Sequence, residues 1–550
     1  MMCRAVDKIS FFCVLIIMVI PNLVIGAANY PGGSGTPLAG VTSTDFLPRG
    51  RTKVGVYLTS HFATSGFVMK RYVNTPYKSP QGDKEISSLE GGLRWVSPGA
   101  SLSNKRIHGD TPADTSYKSH SGDLGVKKGA TNPKSSTEKN IIVKKNGPIF
   151  TLTQALKMAH KGDHIIVTKG VYEGNQITVN KPVTITGEKG AILDGMGKYQ
   201  IMIVKADSVT IEHLTFRNAG ISYTHDNAAI RLDDVTGCVV SDNHLINNFF
   251  GIYLAKSGNC VIKGNSVVGD AAVKGEVASG GGIHLWNCHD ITIINNYTRG
   301  NRDGIYFEFV NHTLIKNNVS EENIRYGLHL MYSNHDTYTG NTFRDNNAGG
   351  VVMYCKYITV EHNLFIHNWG PSDDGLLLLE LNHGIVRHNK FYQNTTAIYS
   401  DASNYVEVEK NDLRQNGWAV NLLSSSTHFL FAKNNFVDNT FDFVTSGQAN
   451  SNHVTQNYWS GYPGYDLNKD GFGDVPYHPV RLFSEIISEQ PTALILLHSI
   501  FVKVLDIAEK ALPVLTPKSL IDSKPLMKPY HDTTGTTGQI VQYAASAQRH

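Results

Sequence analysis

The stretch Asn318-Val-Ser-Glu-Glu-Asn323-Ile-Arg-Tyr-Gly327-Leu-His-Leu-Met-Tyr332-Ser-Asn-His-Asp-Thr-Tyr-Thr-Gly-Asn341 begins and ends on asparagine and carries another at Asn323. Its middle, Gly327 to Tyr332, alternates as a half-buried strand does. Working outward, asparagine recurs at Asn243, Asn265, Asn296, Asn318, Asn341, Asn363, Asn389, Asn411, Asn434 and Asn457, and seven of these nine steps are 22 or 23 residues. The longer steps, 31 and 26, contain Asp270 to Gly281 and Trp369 to Asp374, read as loops inserted into regular coils. A second asparagine follows five residues after most of the first set, at Asn248, Asn301, Asn323, Asn346, Asn368, Asn394, Asn416 and Asn439. Asparagine tolerates left-handed turn conformations, and its amide both donates and accepts along a stack. Coils of 22 to 23 residues, each with three short strands and three turns, predict an all-β chain. The expected fold is a right-handed parallel β-helix of the pectin-lyase-like kind, with an N-terminal capping helix and a helical C-terminal extension. The leucine-dominated consensus of leucine-rich repeats is absent.

The flanks are different. Residues 1–26 combine Arg4 and Lys8 with an apolar run from Ile9 to Ile20 and small residues near Gly26, the pattern of a cleavable export signal. Residues 27–140 are an unassigned, Gly-, Ser-, Thr- and Lys-rich segment whose later part buries little and reads as a linker. The coil spans 141–464, with a short amphipathic helix around Leu152, Ala155, Leu156 and Ala159 laid over its open end. An Asp-rich turn occupies 465–477, a helical docking segment 478–530 and a polar tail 531–550. Lys+Arg 50 against Asp+Glu 47 leaves a net charge of +3, so no global field gathers nucleic acid. Cys238, Cys260, Cys288 and Cys355 would pair as two disulfides in an oxidising compartment or serve as buried packing residues, and no Cys-x-x-Cys pair is present.

Counting two and four residues past each strand's opening glycine places Tyr253 and Ala255, His284 and Trp286, Tyr306 and Glu308, His329 and Met331, then Val352 and Tyr354 on one outer face. Imidazole and thioether suit soft or borderline metals, so His284, Glu308, His329 and Met331 are candidate copper ligands. The competing reading is that they cover a sheet face or meet a partner. Trp286, Tyr306, Tyr332, Tyr354, Arg481 and Phe483 are the candidate partner contacts. A further column, His289, His312, His335, His383, His428 and His453 with Tyr357 and Tyr405, lies at a turn and is accounted for by surface stacking. Asp466, Asn468, Asp470 and Asp474 offer oxygens for calcium, although the twelfth position from Asp466 is Tyr477 instead of a bidentate Glu. An Asx-rich turn without metal is the alternative. A rival class is the polysaccharide-active β-helix, such as an alginate epimerase or lyase. Tyr223-Thr-His225-Asp226 is its nearest motif, with no facing ladder of carboxylates to support it.

Gly282-Ile-His-Leu-Trp286, Arg302-Asp-Gly-Ile-Tyr306, Tyr326-Gly-Leu-His-Leu-Met-Tyr332, the run Asp466 to Tyr477 followed by Pro479-Val-Arg-Leu-Phe483, and Pro525-Leu-Met-Lys-Pro529 together resemble the NosD family. The resemblance covers about Ile149 to Pro529. It implies a periplasmic, non-catalytic maturation factor for nitrous oxide reductase, peripheral to the membrane through an ABC transporter. Its implied partners are the transporter's membrane and ATPase subunits, a copper chaperone and the reductase, with copper, and sulfur as a second candidate, for cargo. The chain carries no Gly-x-x-x-x-Gly-Lys-Ser/Thr loop of its own, as that division of labour requires. Residues 27–140 depart from the family pattern.

Overall fold

The computed structural model describes residues 139–530, apart from 223–224, 370–373, 447–450, 498, 513–516 and 518, all within one compact unit. The expected signal, most of the 27–140 segment, Tyr223 and the 531–550 tail lie outside the described residues.

Strands stack into three parallel sheets of 14, 12 and 13 strands, and the chain visits them in turn to build a β-solenoid of about 13 turns. The expected parallel β-helix is present. Its core is a column of inward side chains; Phe343, Phe365 and Phe391 stack there at 5.2 and 4.8 Å between ring centroids. The asparagine repeat runs beside this column. Asn318 Nδ2 donates to Asn341 Oδ1 at 3.0 Å, Asn341 Nδ2 to Asn363 Oδ1 at 3.0 Å, and each oxygen also accepts the backbone N–H of the preceding ladder residue. The second Nδ2 hydrogen goes to a carbonyl one coil back, as from Asn341 to Ile315 at 2.9 Å. Every polar atom of a buried asparagine is thereby paired, which is the condition for burying it at all.

The left-handed conformation does not belong to these asparagines. It falls on the residue just before each: Asp242, Asn317, His362, Lys410 and Gln456 have φ of 54°, 53°, 55°, 55° and 56° respectively. The amide is selected for bonding, and its neighbour absorbs the turn. Coils also precede Asn243, where Leu214 N–H donates to Asn243 Oδ1 at 3.0 Å and so joins the ladder without an asparagine of its own.

A strand at Asn140–Val143 comes first, followed by the capping helix α1 (Leu152–Met158). Thr151 and Gln154 form a reciprocal capping box at its start, and Leu152, Ala155 and Leu156 are buried. At the far end α3 (Leu482–Glu489) lays Phe483 against Phe441, after α2 (Ala271–Lys274) in the first inserted loop. A 3₁₀ turn at Pro491–Leu496 and helix α4 (Ile500–Ala511) follow. Beyond Leu520 the segment is extended instead of helical, because it completes the coil: Asp522 accepts from the Asn457 N–H at 2.9 Å, the Gln456 N–H at 3.0 Å and the Trp459 Nε1–H at 3.1 Å. Its carboxylate stands where the next ladder amide would be.

Replacing Asn341 by Ala removes the acceptor of two buried Asn318 donors, so the urea-unfolding midpoint should fall by the equivalent of at least about 2 kcal/mol. An unchanged midpoint would show that the ladder is ornamental to stability.

Candidate functional site

Five consecutive strands of the 12-stranded sheet carry the site: β1 (Phe250–Ala255), β2 (Ile283–Trp286), β3 (Asp303–Glu308), β4 (Tyr326–Met331) and β5 (Ala348–Met353). Register aligns Tyr253, His284, Tyr306, His329 and Val351 in one outer column and Ala255, Trp286, Glu308, Met331 and Met353 in the next. The first four pairs match the sequence expectation. The fifth does not, because Gly327 pairs in phase with Gly349 and not Gly350. Val352 therefore points into the core, and Tyr354 moves to the turn, where it stacks on Tyr332 at 5.0 Å and Tyr332 on Phe309 at 5.2 Å.

The rings of the first column alternate: Tyr253 to His284, His284 to Tyr306 and Tyr306 to His329 are 4.6, 4.6 and 4.7 Å between centroids. Tyr306 thus stands between the two histidines, and its hydroxyl bridges the columns, donating toward Glu308 Oε2 and Met331 Sδ at 3.4 Å each. His284, Glu308, His329 and Met331 form one continuous patch, but among the described residues no three His, Cys, Asp or Glu side chains converge as a metal-binding group.

Sequence phase missed Asp303. A Cβ on Gly304 would meet Ser320 Oγ and Thr298 Oγ1, both inside the coil, and Ile305 is also inward. Two successive inward positions break the alternation and leave Asp303 on the histidine side, fully buried. Arg302 Nε holds Asp303 Oδ2 at 2.8 Å, while Oδ1 has no hydrogen-bond donor and lies 4.0 Å from His329 Nδ1. Both ring nitrogens of His329 and Nδ1 of His284 are likewise buried without partners. Burial pushes His284 down to about 3 and His329 down to about 4, so both rings are neutral near pH 7. Burial acts to raise the Asp303 carboxyl, but Arg302, His329 and Arg325 together outweigh it and hold it below the usual range. An ion pair ties the inserted loop to this face, with Arg325 Nη1 reaching Glu276 Oε1 at 3.4 Å. Imidazole and carboxylate are ligand types that copper takes, but Arg325 Nε also lies 4.0 Å from Asp303 Oδ1 and too few ligands converge here, so these residues as they stand do not fit a metal ion.

Elsewhere the expected sites resolve as follows. Asp466 accepts from the Asp470 and Gly471 N–H groups, Asp470 from Phe472 N–H, Asn468 from Asp470 N–H, and Asp474 from Leu467 N–H at 2.7 Å. The exposed turn is thus an Asx network that satisfies its own backbone. Phe483, expected to face a partner, is buried over the coil's end, whereas Arg481 is exposed. The four cysteines are free and buried; burial raises Cys288 to about 11 and Cys355 to about 12. The turn column does stack, with His312 to His335 at 5.0 Å and His335 to Tyr357 at 4.7 Å.

Residues 268–464, which include β2 to β5, match the family model described as periplasmic copper-binding protein (NosD). This β-helix is similar to the NosD family over those residues. A NosD named as a probable ABC transporter binding protein, from Stutzerimonas stutzeri, is 27% identical over 385 residues, 65% of this chain and 85% of that one. Its namesake from Pseudomonas aeruginosa is 28% identical over 65% of this chain and 87% of its own. Among solved structures, the periplasmic alginate epimerase AlgG aligns with a TM-score of 0.37 at 13% identity over 52% of this chain and 76% of its own. The catalytic unit of an alpha-1,3-glucanase from Streptomyces thermodiastaticus aligns at 0.42 and 14% over 60% and 67%. The NosD family is periplasmic, and among the described residues no helix is long and apolar enough to cross a membrane.

The histidines give this site a pH signature. Unfolded histidine titrates near 6.5 and binds protons that the buried neutral rings refuse, so their contribution to stability is present above about pH 6.5 and lost as pH falls toward 4. Melting curves between pH 7 and pH 4 should show that decline, and His329→Gln should flatten it by up to about one proton.

Proposed function

We propose that this chain is the periplasmic accessory subunit of an ABC transporter and acts in the maturation of nitrous oxide reductase by handling copper for its metal centres, with sulfur as a second candidate cargo. The observation that carries this reading is an unpartnered apolar stripe at the end of the rod. In α4 the side chains of Val502 and Leu505 are buried, while Ile500, Val504 and Ile507, at helical spacing, are 79%, 55% and 66% exposed. Ile495, in the preceding 3₁₀ turn, adds to the same surface at 89% exposure. A docking face for the transporter's membrane subunit fits such a stripe, and the names of both relatives support that partner.

In this reading the rod projects the His284–His329 face away from its docking end, where a copper chaperone and the reductase would meet it. Trp286, with Lys256 over its ring at 5.6 Å, and Tyr306 are half-buried there and suit protein contact. ATP hydrolysis belongs to the transporter's own subunit, and this chain contributes binding and positioning.

Co-purification with the detergent-solubilised transporter should be strong for the native chain and lost for Val504→Asp with Ile507→Asp, while both keep the same far-ultraviolet circular dichroism. Undiminished capture of the double variant would remove α4 from the interface. Incubation with alginate and pectins should leave the polymers unchanged; depolymerisation or epimerisation would replace the maturation reading with a polysaccharide-active one.

A further inference from the structure

Four free cysteines are buried in the coil, and strand register sorts them into one facing pair and two singles. Thr236 bridges Gly258 and Val239 pairs with Val261, each across neighbouring parallel coils and each 22 residues apart. Cys238 and Cys260 sit between these two pinned positions, so each faces the other one coil step away. The Val261 N–H donates to the Cys238 carbonyl at 2.9 Å, and both side chains are fully buried in the core. The other two thiols have no such neighbour. Cys288 lies in register between Ser257 and Val310, and Cys355 between Ser333 and Leu381.

We propose that Cys238 and Cys260 are a modification site, oxidised in the periplasm to a disulfide that clips these two coils together. The structure describes the pair in its reduced form. For its setting the inference rests on the periplasmic placement in the reading above, whereas the choice of partners rests on register.

Geometry and chemistry both favour closure. Neighbouring strands lie about 4.8 Å apart, inside the Cα separation of about 4.4–6.8 Å that a disulfide spans. Backbone pairing on either side of the cysteines holds that spacing. The thiols also act on one another: the Cys260 thiol is the largest cause holding Cys238 below the usual thiol range, and Cys238 pushes Cys260 up in turn. A lowered thiol beside a raised one supplies the attacking sulfur. Neither has a strong competing partner, since Cys238 Sγ reaches the Ala206 carbonyl at 3.5 Å and Cys260 Sγ the Gly258 carbonyl at 3.2 Å, and S–H is a weak donor.

The oxidant is an external disulfide. The Cys238 thiolate attacks one of its sulfurs and expels the other as a thiolate; the Cys260 thiolate then attacks Cys238 Sγ in the mixed disulfide and expels the second. One S–S bond breaks and one forms, and two electrons and two protons pass from the cysteine pair to the oxidant, which leaves as two thiols. Because both sulfurs are buried, the exchange belongs to the stage before these coils close. The same two coils carry the first rung of the amide ladder, Asn243 Nδ2 to Asn265 Oδ1 at 3.0 Å, so the clip secures the step at which the ladder begins.

The full chain, exported by its host, alkylated before lysis and digested with trypsin without reduction, tests the pairing. Cleavage after Arg231, Lys256 and Lys263 places Cys238 in residues 232–256 and Cys260 in residues 257–263. Mass spectrometry should find these two peptides linked, two hydrogens lighter than their sum and separable by dithiothreitol, with Cys288 and Cys355 alkylated. Cys260→Ala should leave Cys238 alkylated, and Cys288→Ala should keep the link. Reduction in denaturant followed by refolding under reductant should lower the native melting midpoint by roughly 5 °C and leave that of Cys260→Ala unmoved, a difference that reports even if the variant is less stable. A link through Cys288 or Cys355 in its place, or free Cys238 and Cys260 both in exported protein and after refolding with oxidised glutathione, would overturn the assignment. Free thiols in exported protein that link on refolding with oxidised glutathione would leave the pair standing and remove the periplasmic placement.

Discussion

A single repeated interaction sustains this molecule: the primary amide of one asparagine hydrogen-bonded to the next, coil after coil, from Asn243 to Asn457. Backbone ladders alone would let a coil slip relative to its neighbour by two residues without changing which face is inward. The amide ladder removes that freedom, because a displaced asparagine would leave buried donors and acceptors unpaired. Register so fixed carries through to the outer face. The alternation of tyrosine and histidine rings at about 4.6 Å depends on each coil stopping where the amide holds it.

Much of the architecture was readable because one ladder residue per coil is a strong periodic signal. The coils before Asn243, expected from 141 onward, carry no such mark, since Leu214 joins the ladder by its backbone. The outer face was readable wherever a single glycine opens a strand. It failed at Gly349-Gly350, where two glycines offer two phases, and only pairing with Gly327 and the neighbouring coil decides between them. Asp303 was hidden for a related reason. Alternation assumes an unbroken pleat, and the inward pair Gly304-Ile305 breaks it one residue after the aspartate. The C-terminal helices were visible as apolar periodicity, but Phe483 and Ile507 look alike in sequence, and only packing separates the buried ring from the exposed side chain.

The site and the rod make opposite demands on polar groups. Along the ladder every buried nitrogen and oxygen is paired, and the result is rigidity. On the outer face, beneath the inserted loop, buried polar atoms are left open. A scaffold this regular can tolerate that local deficit, since stability is distributed over many coils, each bonded to its neighbours.

The residue that closes the ladder has a different significance when the rod is regarded as a growing polymer. Each asparagine accepts from one neighbour and donates to the next, so every added coil recreates a reactive end. Asp522 accepts from Asn457, but its carboxylate has no hydrogen to donate onward. It acts as a chain terminator. A rod meeting this end would find no side-chain donor at Asp522 with which to continue the ladder.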